Sequence, residues 1–276
     1  MLFGALAVSI RLALRRDVDP DAGTLVTTAG ACVVCVAIAA AFGQWSHVPW
    51  RDTWPFLVAG TVAPGISQVL FTRAVGLIGA SRTAVVVGIS PVLSALIAIA
   101  LLGEPFHIAL AIGTVLVVAG GTLLAWERGG PLAIVSLGGL LSGIAAVVFS
   151  ARDNFVRWAE RGSDVPGVVA AACSLGTATL VIALLVASNG RTFERTARAF
   201  RPFTLSALIY GTAYAFLLTA FDRGRVTVVA PLYATESLWA VVASAIVMRR
   251  AESVGVRVGF AALLVVAGGA IIGGFR

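Results

Sequence analysis

The chain has 276 residues, of which 59% are hydrophobic and 12% charged, against about 25% charged residues in an ordinary soluble domain. Too few polar side chains remain to cover a water-facing surface of this size, which excludes a soluble globular protein. The net charge of +7 comes from 20 basic residues that are all arginine. They stand singly or in pairs between apolar blocks, where they anchor helix ends and bias insertion; nucleic acid is not indicated.

A bilayer crossing takes about 20 mostly apolar residues, and with no water to satisfy the backbone such blocks must be helices. The first candidate, Met1 to Leu14, is short and is followed or interrupted by Arg11, Arg15 and Arg16. Its apolar part precedes the arginines, the reverse of a signal peptide, so it reads as the second half of a first span whose beginning lies upstream. Asp17-Val-Asp19-Pro-Asp21 resembles the start of a calcium loop but has Ala22 and Thr28 where Gly and Glu are required, and reads as a solvated connection. Nine clear blocks follow at roughly 22–43, 54–72, 83–103, 108–126, 131–151, 166–188, 202–221, 226–248 and 258–275. Cys32-Val-Val-Cys35 falls mid-helix among apolar residues, where a thiolate is not stabilised, so neither redox nor metal chemistry is expected of it. Trp45, Trp50, Trp54, Trp126 and Trp158 stand at block ends as interface anchors. Arg191 to Arg201, with Phe193 and Phe200 on one side, reads as an amphipathic helix on the membrane surface. Arg152 and Asp153 sit near the end of the sixth block as a snorkelling ion pair, Asp153 in reach of Arg157 rather than of its neighbour. Glu104-Pro105 and Glu252-Ser253 suit the first turns of the helices they open. Gly139-x-x-x-Gly143, Gly255-x-x-x-Gly259 and Gly269-x-x-x-Gly273 suit close helix packing within one chain.

The chain also repeats itself. Shifted by 148 residues, VLVVAGGTLLAWER (115–128) falls on LLVVAGGAIIGGFR (263–276), Gly76 on Gly224 and Glu104 on Glu252. Pro55-Phe56 meets Pro202-Phe203 at 147, and Ser9-Ile-Arg11 resembles Ser150-Ala-Arg152 at 141. The copies run over 1–128 and 134–276 with five spans each. The expected fold is all-α integral membrane: ten transmembrane helices as two five-helix repeats, inverted because the count per copy is odd.

The stretch ISPVLSALIAIALLGEP (89–105), with IGTVLVVAGG (112–121) after it, resembles the fourth and fifth helices of the EamA-like repeat of the drug/metabolite transporter superfamily. The pattern recurs more weakly at 237–269, where Trp239 replaces Pro91 and Arg249-Arg250 replaces Leu102-Gly103. The resemblance implies an exporter of amino acids, drugs or other metabolites in the inner (cell) membrane, with both termini in the cytoplasm. Counting arginines by loop gives 13 on one side and seven on the side of the termini, which taken alone places the termini outside.

The polar material at membrane depth is the candidate substrate site. Gln68 lies in the third span, Tyr210 and Tyr214 in the eighth, and Tyr233, Glu236 and Trp239 in the ninth. A carboxylate at the centre of a span costs on the order of 2.5–3.5 kcal/mol, so Glu236 should face a cavity or a partner. Tyr233 is placed to hydrogen-bond it, and the tyrosine rings suit a cationic or amphipathic substrate. Glu236 and Asp153 are the candidates for proton coupling; the alternative for Glu236 is a helix staple to Arg11 or Arg152. Among competing classes, an intramembrane enzyme would need a reactive constellation, and neither HExxH nor a nucleophile elbow occurs. A membrane scaffold would need no polar cavity. A secondary transporter of a small-molecule substrate by alternating access fits best, with no cofactor or metal, the lipid bilayer as environment, and monomer or homodimer both open.

Overall fold

The computed structural model describes residues 1–46, 48–126, 136–188, 192–233, 235–236, 238–240, 243 and 256–274. The expectations attached to Arg128, Arg191, Arg249-Arg250, Glu252-Ser253, Gly255 and Arg276 lie outside the described residues. Among those described, every regular element is a helix. In chain order these are α1 (Leu2–Leu14), α2 (Pro20–Ala41), α3 (Trp54–Gly60), α4 (Ser67–Ile78), α5 (Ala80–Val87), α6 (Ser90–Leu102) and α7 (Ile108–Trp126). They continue with α8 (Leu137–Glu160), α9 (Gly167–Ser188), α10 (Thr192–Arg223), α11 (Val226–Tyr233) and α12 (Val256–Gly274).

Among the described residues, five stretches are long and apolar enough to cross a membrane: Pro20–Ala41, Trp50–Ile78, Leu137–Glu160, Gly167–Ser188 and Glu194–Arg223. Leu2–Leu14, Ser90–Leu102, Ile108–Gly120 and Leu263–Ile272 are shorter apolar helices. Several expected spans are therefore broken. Between α3 and α4 a π-helical turn carries Pro64, and Ala63 leaves helical geometry at φ −141° and ψ 112°, the familiar effect of a residue with no N–H to give. The block at 83–103 is two helices, because Pro91 at the start of α6 cannot extend the hydrogen bonding of α5. Gly79 (φ +87°) and Gly103 (φ +63°) close the ends of α4 and α6 in a conformation that only glycine adopts freely.

Three further expectations are corrected. The sixth block, placed at 131–151, is the helix Leu137–Glu160, capped at Ser136 by a bond from the Gly139 N–H at 3.3 Å. Its polar residues find partners inside the bundle, so the helix runs on past the point where hydropathy falls. The basic segment before residue 202 is not a separate surface helix, since α10 continues through Pro202 as one element. The acidic connection after α1 is more than solvated. Asp19 caps α2 through the N–H groups of Asp21 and Ala22 and meets Arg195 at 3.3 Å, while Asp21 takes a two-pronged bond from Arg73 at 2.7 and 2.6 Å.

Helix ends inside the bundle are satisfied by charged side chains from other helices. Arg11 donates to the carbonyls of Val75 and Gly76 at the end of α4, at 3.1 and 2.8 Å. Arg157 does the same at the end of α10, donating to Phe221 and Asp222 at 2.8 and 3.2 Å. Each member of the second contact stands 146 residues after its counterpart in the first. The partner of Arg11 in this pattern is thus Arg157, not Arg152 as the 141-residue shift suggested, and Arg157 does not serve Asp153. Glu104 is also redirected: it does not open α7 but accepts the N–H groups of Val226 and Thr227 at 3.1 and 3.0 Å, capping α11, while Arg161 braces it at 3.3 Å.

α7 and α12 pack backbone against backbone. A methyl added to Gly113 would lie 2.9 Å from the Gly268 carbonyl, one on Gly268 2.6 Å from that of Gly113, and one on Gly120 2.7 Å from that of Ala261. As α7 ascends in number α12 descends, so the two helices are antiparallel. Of the glycines expected to pack, Gly143 and Gly269 do not, since a methyl on either would meet nothing within 4 Å. Leucine at Gly268 should therefore cost on the order of 1–3 kcal/mol through overpacking, and lower the unfolding temperature of the purified protein in detergent. Leucine at the adjacent Gly269 should leave it close to wild type.

Candidate functional site

Two of the breaks in the helices border a partly open cavity. α4 contributes Gln68 and Phe71, the break between α5 and α6 contributes Val87 and Ser90, and α8 contributes Phe149 and Arg152. Tyr210, Tyr214 and Leu217 come from α10, Phe3 and Leu6 from α1, Tyr233 from the end of α11, and Glu236 from just beyond it. Of the six residues expected at a substrate site, Gln68, Tyr210, Tyr214, Tyr233 and Glu236 are brought together here. Trp239 is not among the lining residues; its main chain instead lies against Gly4 of α1, where an added methyl would come within 2.8 Å of the Trp239 carbonyl carbon.

At the wall of the cavity Arg152 and Asp153 form a buried pair, their side chains 6% and 0% exposed, with guanidinium nitrogens 2.8 Å from Asp153 Oδ1. This overturns the expectation of a snorkelling pair near a helix end: the helix extends two turns further, so both charges sit deep. It also overturns the expectation that neighbours on a helix cannot meet, because the long Arg152 side chain folds back across the helix surface. The second oxygen of Asp153 accepts from the Tyr233 hydroxyl at 2.6 Å and from Ser94 at 3.2 Å. Tyr233 therefore serves Asp153, not Glu236 as expected. A single carboxylate thus ties α6, α8 and α11 together. The Arg152 guanidinium lies 5.5 and 5.4 Å from the ring centres of Phe149 and Tyr214, a second source of stabilisation for a desolvated cation.

Glu236 is different. Among the described residues no hydrogen bond or ion pair reaches its carboxylate, and Arg11 and Arg152, the two candidate staples, are both engaged elsewhere. Gln68 Nε2 and the Tyr214 hydroxyl are likewise buried without a hydrogen-bond partner. Around them the aromatic rings form a connected cluster: Phe3 lies 6.4 Å from Tyr210 and 6.2 Å from Tyr233, and Tyr210 lies 5.5 Å from Tyr214. The cavity thus offers one unpaired acid, unpaired donors and a wall of rings, the mix of apolar lining and few convergent polar groups typical of small-molecule sites. Among the described residues no group of three or more metal-ligating side chains occurs.

Sequence reasoning missed Arg152 as a cavity residue, along with Phe3, Phe71 and Phe149. A signal existed. Gly138, Ser142, Ala145, Ala146, Ser150, Asp153, Val156 and Ala159 recur at helical spacing and are all buried, marking one inward face that runs past residue 151.

The model of the EamA-like transporter family matches residues 1–126. A protein of Sinorhizobium sp. named as an uncharacterized transporter in the cobO 3'region is 36% identical over 112 residues, spanning 40% of this chain and 79% of that protein. The chain belongs to the EamA-like transporter family. A solved crystal structure described only as that of a protein shares the fold, with a TM-score of 0.75 and 22% identity, over 98% of this chain and 95% of the other. Membership and the apolar helices make this a multi-pass membrane protein of a transporter family.

Removing Asp153 should expose the cost of the buried pair. Asp153→Ala leaves Arg152 charged and desolvated, a loss of about 3–5 kcal/mol for a broken buried pair. Its unfolding temperature should fall well below that of Ser94→Ala, which removes only the weakest of the three bonds.

Proposed function

We propose that this chain is a secondary transporter that exports a small organic molecule by alternating access, with the substrate held in the cavity around Glu236. The observation that carries the reading is the unpaired carboxylate in an aromatic cavity at the meeting point of two interrupted helix segments. A discontinuous membrane helix frees polar groups at depth, and in secondary transporters such breaks mark the substrate site. Here Val87 and Ser90 flank one break, and Tyr233 and Glu236 the other.

The contacts that recur at 146 residues, and the antiparallel meeting of α7 with α12, support two inverted five-helix repeats, 1–128 and 134–276. An inverted pair has two nearly equivalent ways of closing, one toward each face, which is what alternating access requires. Gly113 faces Gly268 and Gly120 faces Ala261, so under a shift of 148 residues each contact maps onto the other. That is the self-complementary pattern of a local two-fold axis between two antiparallel helices.

Of the two acids expected to carry a proton, Glu236 suits the role better. Asp153 is held by three side-chain donors, and a proton added there would disrupt the network that binds three helices. Glu236 has room to gain or lose a proton without such disruption; the charges acting on it are the Met1 amino group, Asp153 and Arg152.

Glu236→Gln keeps the shape and removes the charge. The purified variant should unfold within a few degrees of wild type, yet lose substrate exchange in reconstituted vesicles and any dependence of the rate on a pH gradient. Wild-type rate and pH dependence in that variant would remove Glu236 from the mechanism. Both termini are assigned to the cytoplasm by family resemblance, against the arginine count. A cysteine at Arg276, probed in intact cells with an impermeant maleimide, should stay unlabelled; labelling would reverse the orientation.

A further inference from the structure

Two formally charged sites face the cavity, and they differ in what they still require. Arg152 gives two of its nitrogens to Asp153 at 2.8 Å, and its guanidinium lies over the rings of Phe149 and Tyr214. An anion that took the same two nitrogens would have to displace Asp153, which is 0% exposed and would then be left with hydroxyl donors alone. Glu236 has no such partner among the described residues and projects into the same space. With Arg152 and Asp153 paired, the carboxylate is the remaining charged side chain among those that line the cavity. The Met1 amino group acts on it through space without hydrogen-bonding to it.

The walls agree in sign. Phe3 bridges Tyr210 and Tyr233, all three line the same cavity as the acid, and two other rings in it already hold one cation, that of Arg152. An arrangement that stabilises a guanidinium over its rings will stabilise an ammonium in the same way. We infer that the group this cavity recognises is an ammonium: its substrate is an organic amine cation with an aromatic or similarly flat apolar body, the charge on Glu236 and the body against Phe3, Tyr210 and Tyr233. The inference rests on the cavity being the transport site.

Three compounds with one body and different charge decide it: phenethylamine, 2-phenylethanol and 3-phenylpropionate. With the purified wild-type protein at equal ligand concentration, phenethylamine should raise the unfolding temperature most, the alcohol less, and the carboxylate not at all, because a ligand for the folded state raises apparent stability by an amount that grows with the logarithm of its affinity. Glu236→Gln should weaken phenethylamine about tenfold or more and bring it level with the alcohol, as loss of a charge-assisted contact predicts. Equal or greater stabilisation by the alcohol or the carboxylate, or none by any of the three, overturns the inference. The wild-type ranking stands without the variant, so misfolding of Glu236→Gln would not blunt the test. Counterflow of labelled phenethylamine in vesicles separates the two readings. Binding without exchange leaves the ammonium site standing and defeats transport, whereas exchange of 3-phenylpropionate without binding of the amine does the reverse.

Discussion

A helix that stops inside a bilayer leaves carbonyls or amides that no solvent will take up. This protein answers several of its helix ends with a charged side chain borrowed from elsewhere in the chain. Arg11 serves the end of α4, Arg157 the end of α10, and Glu104 the start of α11. Each satisfies orphan backbone groups and complements the partial charge of the helix end it meets. The cavity lies beside two other interruptions, one flanked by Val87 and Ser90 and one by Tyr233 and Glu236.

The Arg152–Asp153 pair has a different effect. By joining α6, α8 and α11 through Ser94 and Tyr233, it fixes one wall of the cavity. Its charges are spent on structure, so the electrostatic character of the site is left to Glu236. Two acids in one cavity thus do separate work because one has donors on both oxygens and the other has none recorded among the described residues.

Much of this was legible in the sequence because lipid imposes simple rules. Apolar blocks of bilayer length, the VVAGG repeat and the gathering of tyrosines in two blocks follow from composition and spacing, and five of the six expected site residues do line one cavity. What escaped depended on partners far away in sequence. Hydropathy ended the sixth block at residue 151 because Arg152, Asp153 and Asn154 are polar, yet Ser94 and Tyr233 make that stretch of helix stable at depth. Glu104 was read against the helix next to it, as a local rule demands, whereas its bonds go to residues 122 and 123 positions later. The wrong glycines were chosen because small-xxx-small spacing does not say which face of a helix meets a neighbour. Gly268 packs and Gly269 does not, a difference of one position and about 100° around the helix.

The meeting of α7 and α12 has a mechanical consequence. Where side chains interdigitate, two helices can exchange one set of rotamers for another and slide; where backbone rests on backbone at Gly113, Gly120, Ala261 and Gly268, there is nothing to exchange. The pair is a keel. Its register is fixed by backbone contact, and a mutation that loosens it would be felt as slippage between these two helices, not as a change in the residues that line the cavity.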